Sequence, residues 1–272
     1  MKHLLLLAGM TGVAWSAGLP VPNATEIVER STQETTASWN QTPNYSFVER
    51  DAESKHDAAP SVKTYQVLQI DGSPYNRLMA ISDQPLSTSG QQAEDRKLRD
   101  EILRRERESE HERAKRVDKY LKGRNQDLAL LKGMIEAFEF KLIGREVING
   151  RDCWVLDANP KPGYQPKNRE MKVLTGMRGR FWVDQASGNW VKVQAQVFQT
   201  VSLAGFFAKV RPGTQFELEQ APIAGGVWAP KHFSTHVTAS ALGFINADSV
   251  DDETYSEYKP MLPEALARLE AH

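Results

Sequence analysis

The sequence predicts an α+β chain built on one curved antiparallel sheet of about 10–11 strands, a half-open β-barrel with helices on its concave side, plus one long charged helix. Three observations carry this. The first is period-two patterning over 177–198, where Phe181 and Val183 alternate with Arg180, Trp182 and Asp184. After a polar turn from Gln185 to Asn189 the pattern resumes, with Val191, Val193, Ala195 and Val197 expected on one face and Trp190, Lys192, Gln194 and Gln196 on the other. Successive strand side chains point to opposite faces, so this sheet has one covered and one wet side. The second observation is that the same pattern recurs, hairpin after hairpin, with no crossover helix between strands. The third is the run 91–124, charged in both signs with few apolar interruptions.

With 272 residues, 40% of them hydrophobic and 25% charged, the chain has enough apolar material for a real core. A formal net charge of −1 argues against a general nucleic-acid binder, which needs a basic surface. Cys153 is the single cysteine, so no intramolecular disulfide and no multi-cysteine metal site is expected. Residues 1–17 read as a secretory signal: Lys2 and His3, then Leu4 to Leu7, then small residues up to Ala17. That apolar run is shorter than the roughly 20 residues a spanning helix needs. No cysteine follows it to carry a lipid anchor. The expectation is an exported chain, periplasmic or secreted, with no transmembrane segment after signal removal. Residues 18–262 form one half-barrel domain, 91–124 a charged helical insertion, and 263–272 a tail.

In chain order, Asn23 or Thr25 caps a first helix, anchored weakly by Ile27 and Val28 and ending before Pro43. A strand over 45–49, a polar connection over 51–60 and a hairpin turning at Asp71-Gly72-Ser73-Pro74 follow. In the charged run, pairs such as Glu101/Arg105 and Glu112/Arg116 sit four apart, each supporting a helix by roughly 0.2–0.5 kcal/mol. Gly123-Arg124-Asn125 is expected to break it. A second helix starts at Asp127, and from Phe138 the period changes to two. Asn149-Gly150 is a hairpin turn. Strands are expected over 172–183, 190–201, 209–219, 227–241 and 244–258, with a short terminal helix over 263–269.

These signatures resemble a known family. They are Gly144-x-Glu146-Val147-Ile148-x-Gly150-x-x-Cys153-Trp154-Val155-Leu156, then Gly179-Arg180-Phe181-Trp182-Val183-Asp184, then Gly188-Asn189-Trp190-Val191-Lys192, and last Gly226-Val227-Trp228-Ala229-Pro230. In this order they are similar to the LolA/LolB superfamily of periplasmic outer-membrane lipoprotein-sorting proteins, to which a domain of the sensor-binding protein RseB is related. The resemblance spans most of 24–260. It implies an incomplete barrel whose apolar interior, lidded by helices, holds acyl chains without catalysis or cofactor. Arg50 is the candidate for the lid-contacting arginine of the sorting carrier. The charged run is larger than the family's usual connection.

One constellation has physical content. Phe140, Phe181, Val183, Val193, Val197, Phe216, Leu218 and Phe233 share a face by alternation. They are either ordinary core packed by the helices, or the lining of a slot that the helices leave open for an acyl chain of a lipid or lipoprotein. Leu203, Phe206 and Phe207 are either the slot's rim or a buried connection. An interior packed solid, with no channel outward, would leave the sheet as a scaffold. The charged run is either a solvated face or a docking arm over 95–124 for an envelope protein partner, an acidic one by its slight basic excess. Other candidates fare worse. His232 and His236 sit on a strand, roughly 13 Å apart, too far for one metal. Asp248, Asp251, Asp252 and Glu253 match no calcium loop. Cys153 reads as a buried thiol without an activating cation. No catalytic pair emerges.

Overall fold

The computed structural model describes residues 22–55, 58–203, 208–241, 245–246 and 248–261. Helix α1 (Ala24–Gln41) opens on a reciprocal cap: the Asn23 side chain accepts from Glu26 N at 2.9 Å, and the Glu26 carboxylate accepts from Asn23 N at 3.0 Å. A 3-10 turn at Thr42–Asn44 leads into β1 (Tyr45–Lys55), β2 (Ser61–Ile70), β3 (Ser73–Ile81) and the two-residue β4 (Gln84–Pro85). Helices α2 (Thr88–Glu106) and α3 (Glu110–Ala137) follow, then β5 (Phe138–Ile148) and β6 (Arg151–Pro160). After a 3-10 segment at Glu170–Gly176 come β7 (Met177–Asp184), β8 (Trp190–Val197), β9 (Val201–Ser202), β10 (Ala208–Val210) and β11 (Gln215–Pro222). The chain closes with β12 (Trp228–Val237), β13 (Ala239–Ala241), β14 (Ile245–Asn246) and β15 (Ser249–Pro260).

Eleven strands form one curved antiparallel sheet in the order β4-β3-β2-β1-β15-β12-β11-β8-β7-β6-β5. β4 and β5 are its two edges, so the sheet is open rather than a closed barrel. Both Asx-Gly hairpin turns form as read: Asp71 and Gly72 have φ of 45° and 84°, Asn149 and Gly150 of 52° and 77°.

Several expectations are corrected. β1 runs on to Lys55, through what reads as a connection, because it is paired on both sides, with β2 and β15. The strand expected from 172 begins as a 3-10 segment. The strands expected over 209–219, 227–241 and 244–258 are each interrupted. Their short pieces, with β9 from the end of the strand expected over 190–201, which breaks after Val197, make a separate four-stranded sheet in the order β14-β13-β10-β9. Pro212, which cannot donate to a ladder, sits at the first of these interruptions. The charged run is two helices, not one, and it breaks at 107–109. There Ser109 accepts from Glu112 N while the Glu112 carboxylate accepts from Ser109 N, so a new helix starts. α3 then passes through Gly123, where the cost is only about 1 kcal/mol. The expected rim residues Phe206 and Phe207, the helix over 263–269 and the signal over 1–17 lie outside the described residues.

Candidate functional site

Register decides what the expected site residues share. Directly opposed residues in adjacent strands lie on one face. One row crosses ten strands: Leu142, Leu156, Phe181, Val193, Leu218, Phe233, Glu253, Asp51, Lys63 and Ile81. The neighbouring row runs Phe140, Ala158, Gly179, Ala195, Phe216, Thr235, Asp251, Glu53. We call this the inner face. Val183 and Val197 join its buried cluster, and Leu203 packs against it; Phe233 is half-buried and outside that cluster.

A β-bulge corrects the expected facing of β8. Trp182 pairs with Lys192 but Val183 pairs with Trp190, so one residue is extra. Trp190 therefore turns inward, and Val191 joins Cys153, Val155, Trp182 and Trp228 on the outer face. The inward turn completes an edge-to-face series: Phe138 to Phe140 at 6.4 Å, Phe140 to Phe181 at 5.3 Å, Phe181 to Trp190 at 5.3 Å. Each such pair adds about 0.5–1.5 kcal/mol beyond area burial.

The apolar half of the inner face is covered by α1, the end of α3 and the 3-10 segment at Glu170–Gly176. Gly133 permits the close approach of that segment to α3, since a Cβ there would lie 2.9 Å from Met171 Cε. Among the described residues, the space bounded by Val28, Phe140, Phe181, Val183 and Trp190 has no room for a water molecule. Among these residues this part of the inner face is therefore packed core, the first of the two alternatives.

The cover itself is unusual in composition. The buried side of α1 carries Ile27 and Val28, and otherwise Ser31, Thr35 and Ser38. Hydrogen bonds fasten it: Trp190 Nε1 donates to Ser31 Oγ at 3.1 Å, Ser38 Oγ donates to Asn189 Oδ1 at 3.3 Å, and Trp228 N donates to Ser38 Oγ at 3.2 Å. Arg30 donates to the carbonyls of Gln185 and Ala186 at the β7–β8 turn. Arg124 of α3 lies 4.4 Å over the Trp39 ring and donates to Trp39 O. Thr35 Oγ1 is buried with no partner, a cost of roughly 1–3 kcal/mol.

Past β12 the inner face changes character. Asp51 lies opposite Glu253 and Glu53 opposite Asp251, with Glu49 opposite Tyr255. Like charges placed so are unfavourable. Burial, then Glu253 and Asp51, push the Glu49 carboxyl up to about 7, and burial also raises Glu253 and Asp51. Phe47 packs on Tyr255 and Tyr258 at 5.9 and 5.2 Å, and the Tyr255 hydroxyl donates to Glu253. Sequence reading missed this row because 51–60 reads as a loop. The signal was present in the spacing of Glu49, Asp51 and Glu53.

Beside the cluster around Trp182 and Trp228 the outer face turns polar. A groove of about 730 Å³ crosses it, lined by paired side chains such as Arg180 with Asp157 and Gln194 with Glu217. Arg50 lies on this face, in ion pair with Asp83, and so does not contact the covering helices. His232 shares a hydrogen bond with Asp252, and Asp252 is turned away from Asp251 and Glu253 by strand alternation. Cys153 is fully buried, and burial pushes its thiol up to about 11. Among the described residues no group of His, Cys, Asp and Glu is placed to hold a metal ion, and no helix is long and apolar enough to cross a membrane.

No protein-family model matches the sequence, and no curated protein does. Solved structures do. A LolA superfamily protein from Nitrosomonas europaea is similar over 90% of this chain and 96% of its own, at 14% identity and a TM-score of 0.34. A DUF1329 family protein from Desulfovibrio piger is similar over 86% of this chain and 99% of its own, at 10% identity and a TM-score of 0.29. The MucA/MucB complex of Pseudomonas aeruginosa is similar over 91% of this chain and 96% of its own, at 10% identity and a TM-score of 0.23.

Proposed function

We propose that this chain is an exported, non-catalytic binding protein that takes an acyl chain, from a lipid or a lipidated protein, onto the apolar half of its inner face when α1 is displaced. One observation carries this reading: α1 covers an aromatic face with hydroxyls. Its two buried aliphatics, Ile27 and Val28, contribute about 1.5–3 kcal/mol each. The polar fastenings exchange for water at little net cost, about 0.5–1.5 kcal/mol apiece, and the orphaned Thr35 hydroxyl regains water on opening. An acyl chain gains about 0.8 kcal/mol per buried methylene, so a chain of moderate length competes with α1 for this face. Phe140, Phe181, Val183, Val193, Val197, Phe216 and Leu218 would line the chain, with Phe233 at its outer end and Leu203 beside it.

Titration with dansyl-labelled undecanoic acid tests the reading. Saturable binding is expected, weakened about tenfold or more in Phe216→Asp with an unchanged circular dichroism spectrum. Absence of saturable binding by the unmodified chain would overturn it. The packed interior favours a second reading in that event: the sheet is a scaffold, and the charged hairpin of α2 and α3 is the working surface.

A further inference from the structure

The charged hairpin is held rigidly against the body. Arg105, buried on α2, donates to the carbonyls of Ile70, Ser73 and Pro74 across the β2–β3 turn, at 2.5, 2.9 and 3.2 Å. Arg116 on α3 donates to Asp71 and to Ser73 Oγ at the same turn. Val117 lies where a Cβ on Gly72 would meet it at 3.1 Å. Ile102 and Leu98 pack on Leu68, Ile70 and Tyr75. Both helices are therefore fixed to one turn, and the cleft between them is preformed.

That cleft has a volume of about 830 Å³. Its one aliphatic lining residue is Leu103, 39% exposed. Its charges are unevenly satisfied. Glu108 is held by Arg104 and Arg116, and Glu112 caps Ser109. Arg107, Lys115 and Lys119 have no ion-pair partner among the described residues, and Asp100 is the cleft's remaining unpaired carboxylate. Three cations without an ion-pair partner beside one exposed leucine, on a fixed two-helix groove, complement an acidic helix with an apolar stripe. Glu106, Glu110 and Asp118 stand exposed elsewhere on the same hairpin and outside the cleft lining, so the complementary charge is confined to a groove that a single helix enters more fully than a flat anionic surface does.

We propose that the α2–α3 cleft docks an acidic amphipathic helical segment of a partner protein, with Leu103 meeting its apolar stripe and Arg107, Lys115 and Lys119 meeting its carboxylates. This stands independently of the inner face. The test is fluorescence anisotropy with a fluorescein-labelled helical peptide of Glu, Leu and Ala, against its Lys-for-Glu counterpart and against phosphatidylglycerol vesicles. The acidic peptide is expected to bind the full chain in a salt-dependent way, and the basic one not. The exposed-site double variant Lys115→Glu/Lys119→Glu is expected to weaken binding at least about tenfold, and Leu103→Ala by less. Phe216→Asp is expected to leave it unchanged. Failure of the acidic peptide to bind, equal affinity for the double variant, or preference for the vesicles over the peptide would overturn the proposal.

Discussion

Glu49 shows how much a single side chain reveals when its neighbours are placed. It stands on the inner face between Tyr65 and Tyr255, and its carboxyl is pushed up to about 7 by burial first and by Glu253 and Asp51 after that. A carboxyl with a raised folded pKa opposes folding once it ionises. Below 4.5 both folded and unfolded chains hold the proton and no cost arises; the cost grows as pH rises through the interval from 4.5 to about 7. Asp51 and Glu253 shift in the same direction. Glu101, held down to about 2 by Arg104, contributes stability that is constant across this interval and is lost only below it. Stability measured by urea unfolding should therefore fall between about pH 5 and about pH 8. Glu49→Gln should recover on the order of 1 kcal/mol at the upper end, after allowance for its partial exposure, and nothing at the lower end. A variant no more stable than the parent above pH 7 would show that this row is not strained.

At the scale of elements, the charged hairpin and α1 are held in opposite ways. α2 and α3 are fastened by the buried Arg105 guanidinium against three backbone carbonyls and by the half-buried Arg116 against Asp71, Ser73 and Glu108. Arg105→Ala should lower stability by about 2–4 kcal/mol, because three carbonyls lose this donor together and Glu101 keeps only Arg104. Amide exchange in β2 and β3 should rise with it; unchanged exchange there would mean the hairpin is not fastened at this turn. Much of the element plan was legible in the sequence. Period-two alternation found the strands from Phe138 to Val197, and Asp71-Gly72 and Asn149-Gly150 found their turns. Charge pairing found helix in 91–124. It could not place the break, since Gly123 is the stronger breaker by propensity, whereas the Ser109–Glu112 cap decides the outcome by hydrogen bonding. The bulge at Trp182/Val183 left no mark in the alternation, which reads smoothly through Trp190 and Val191. Its consequence was to send Trp190 inward and Val191 outward.

On the scale of the molecule, one sheet face passes from aromatic to acidic across ten strands, and α1, the end of α3 and the 3-10 segment pack over its aromatic half. Alternation says which residues share a face wherever the ladder is regular, because period two follows from backbone geometry, and it fails across the bulge, where Trp190 and Val191 exchange sides. It could not say whether the face is open, because closure depends on how α1 and α3 meet over it. The account rests on α1 being a displaceable cover. Ser38 and Asn189 touch across the boundary between α1 and the β7–β8 turn, so the pair Ser38→Cys/Asn189→Cys offers a disulfide that ties α1 down and releases it on reduction. The direct measurement is the affinity of this variant for dansyl-labelled undecanoic acid, oxidised and then reduced. Binding by the reduced form, lost by at least about tenfold on oxidation, is the result expected for a cover that must lift. Equal binding in the two states, or none in either, would contradict it.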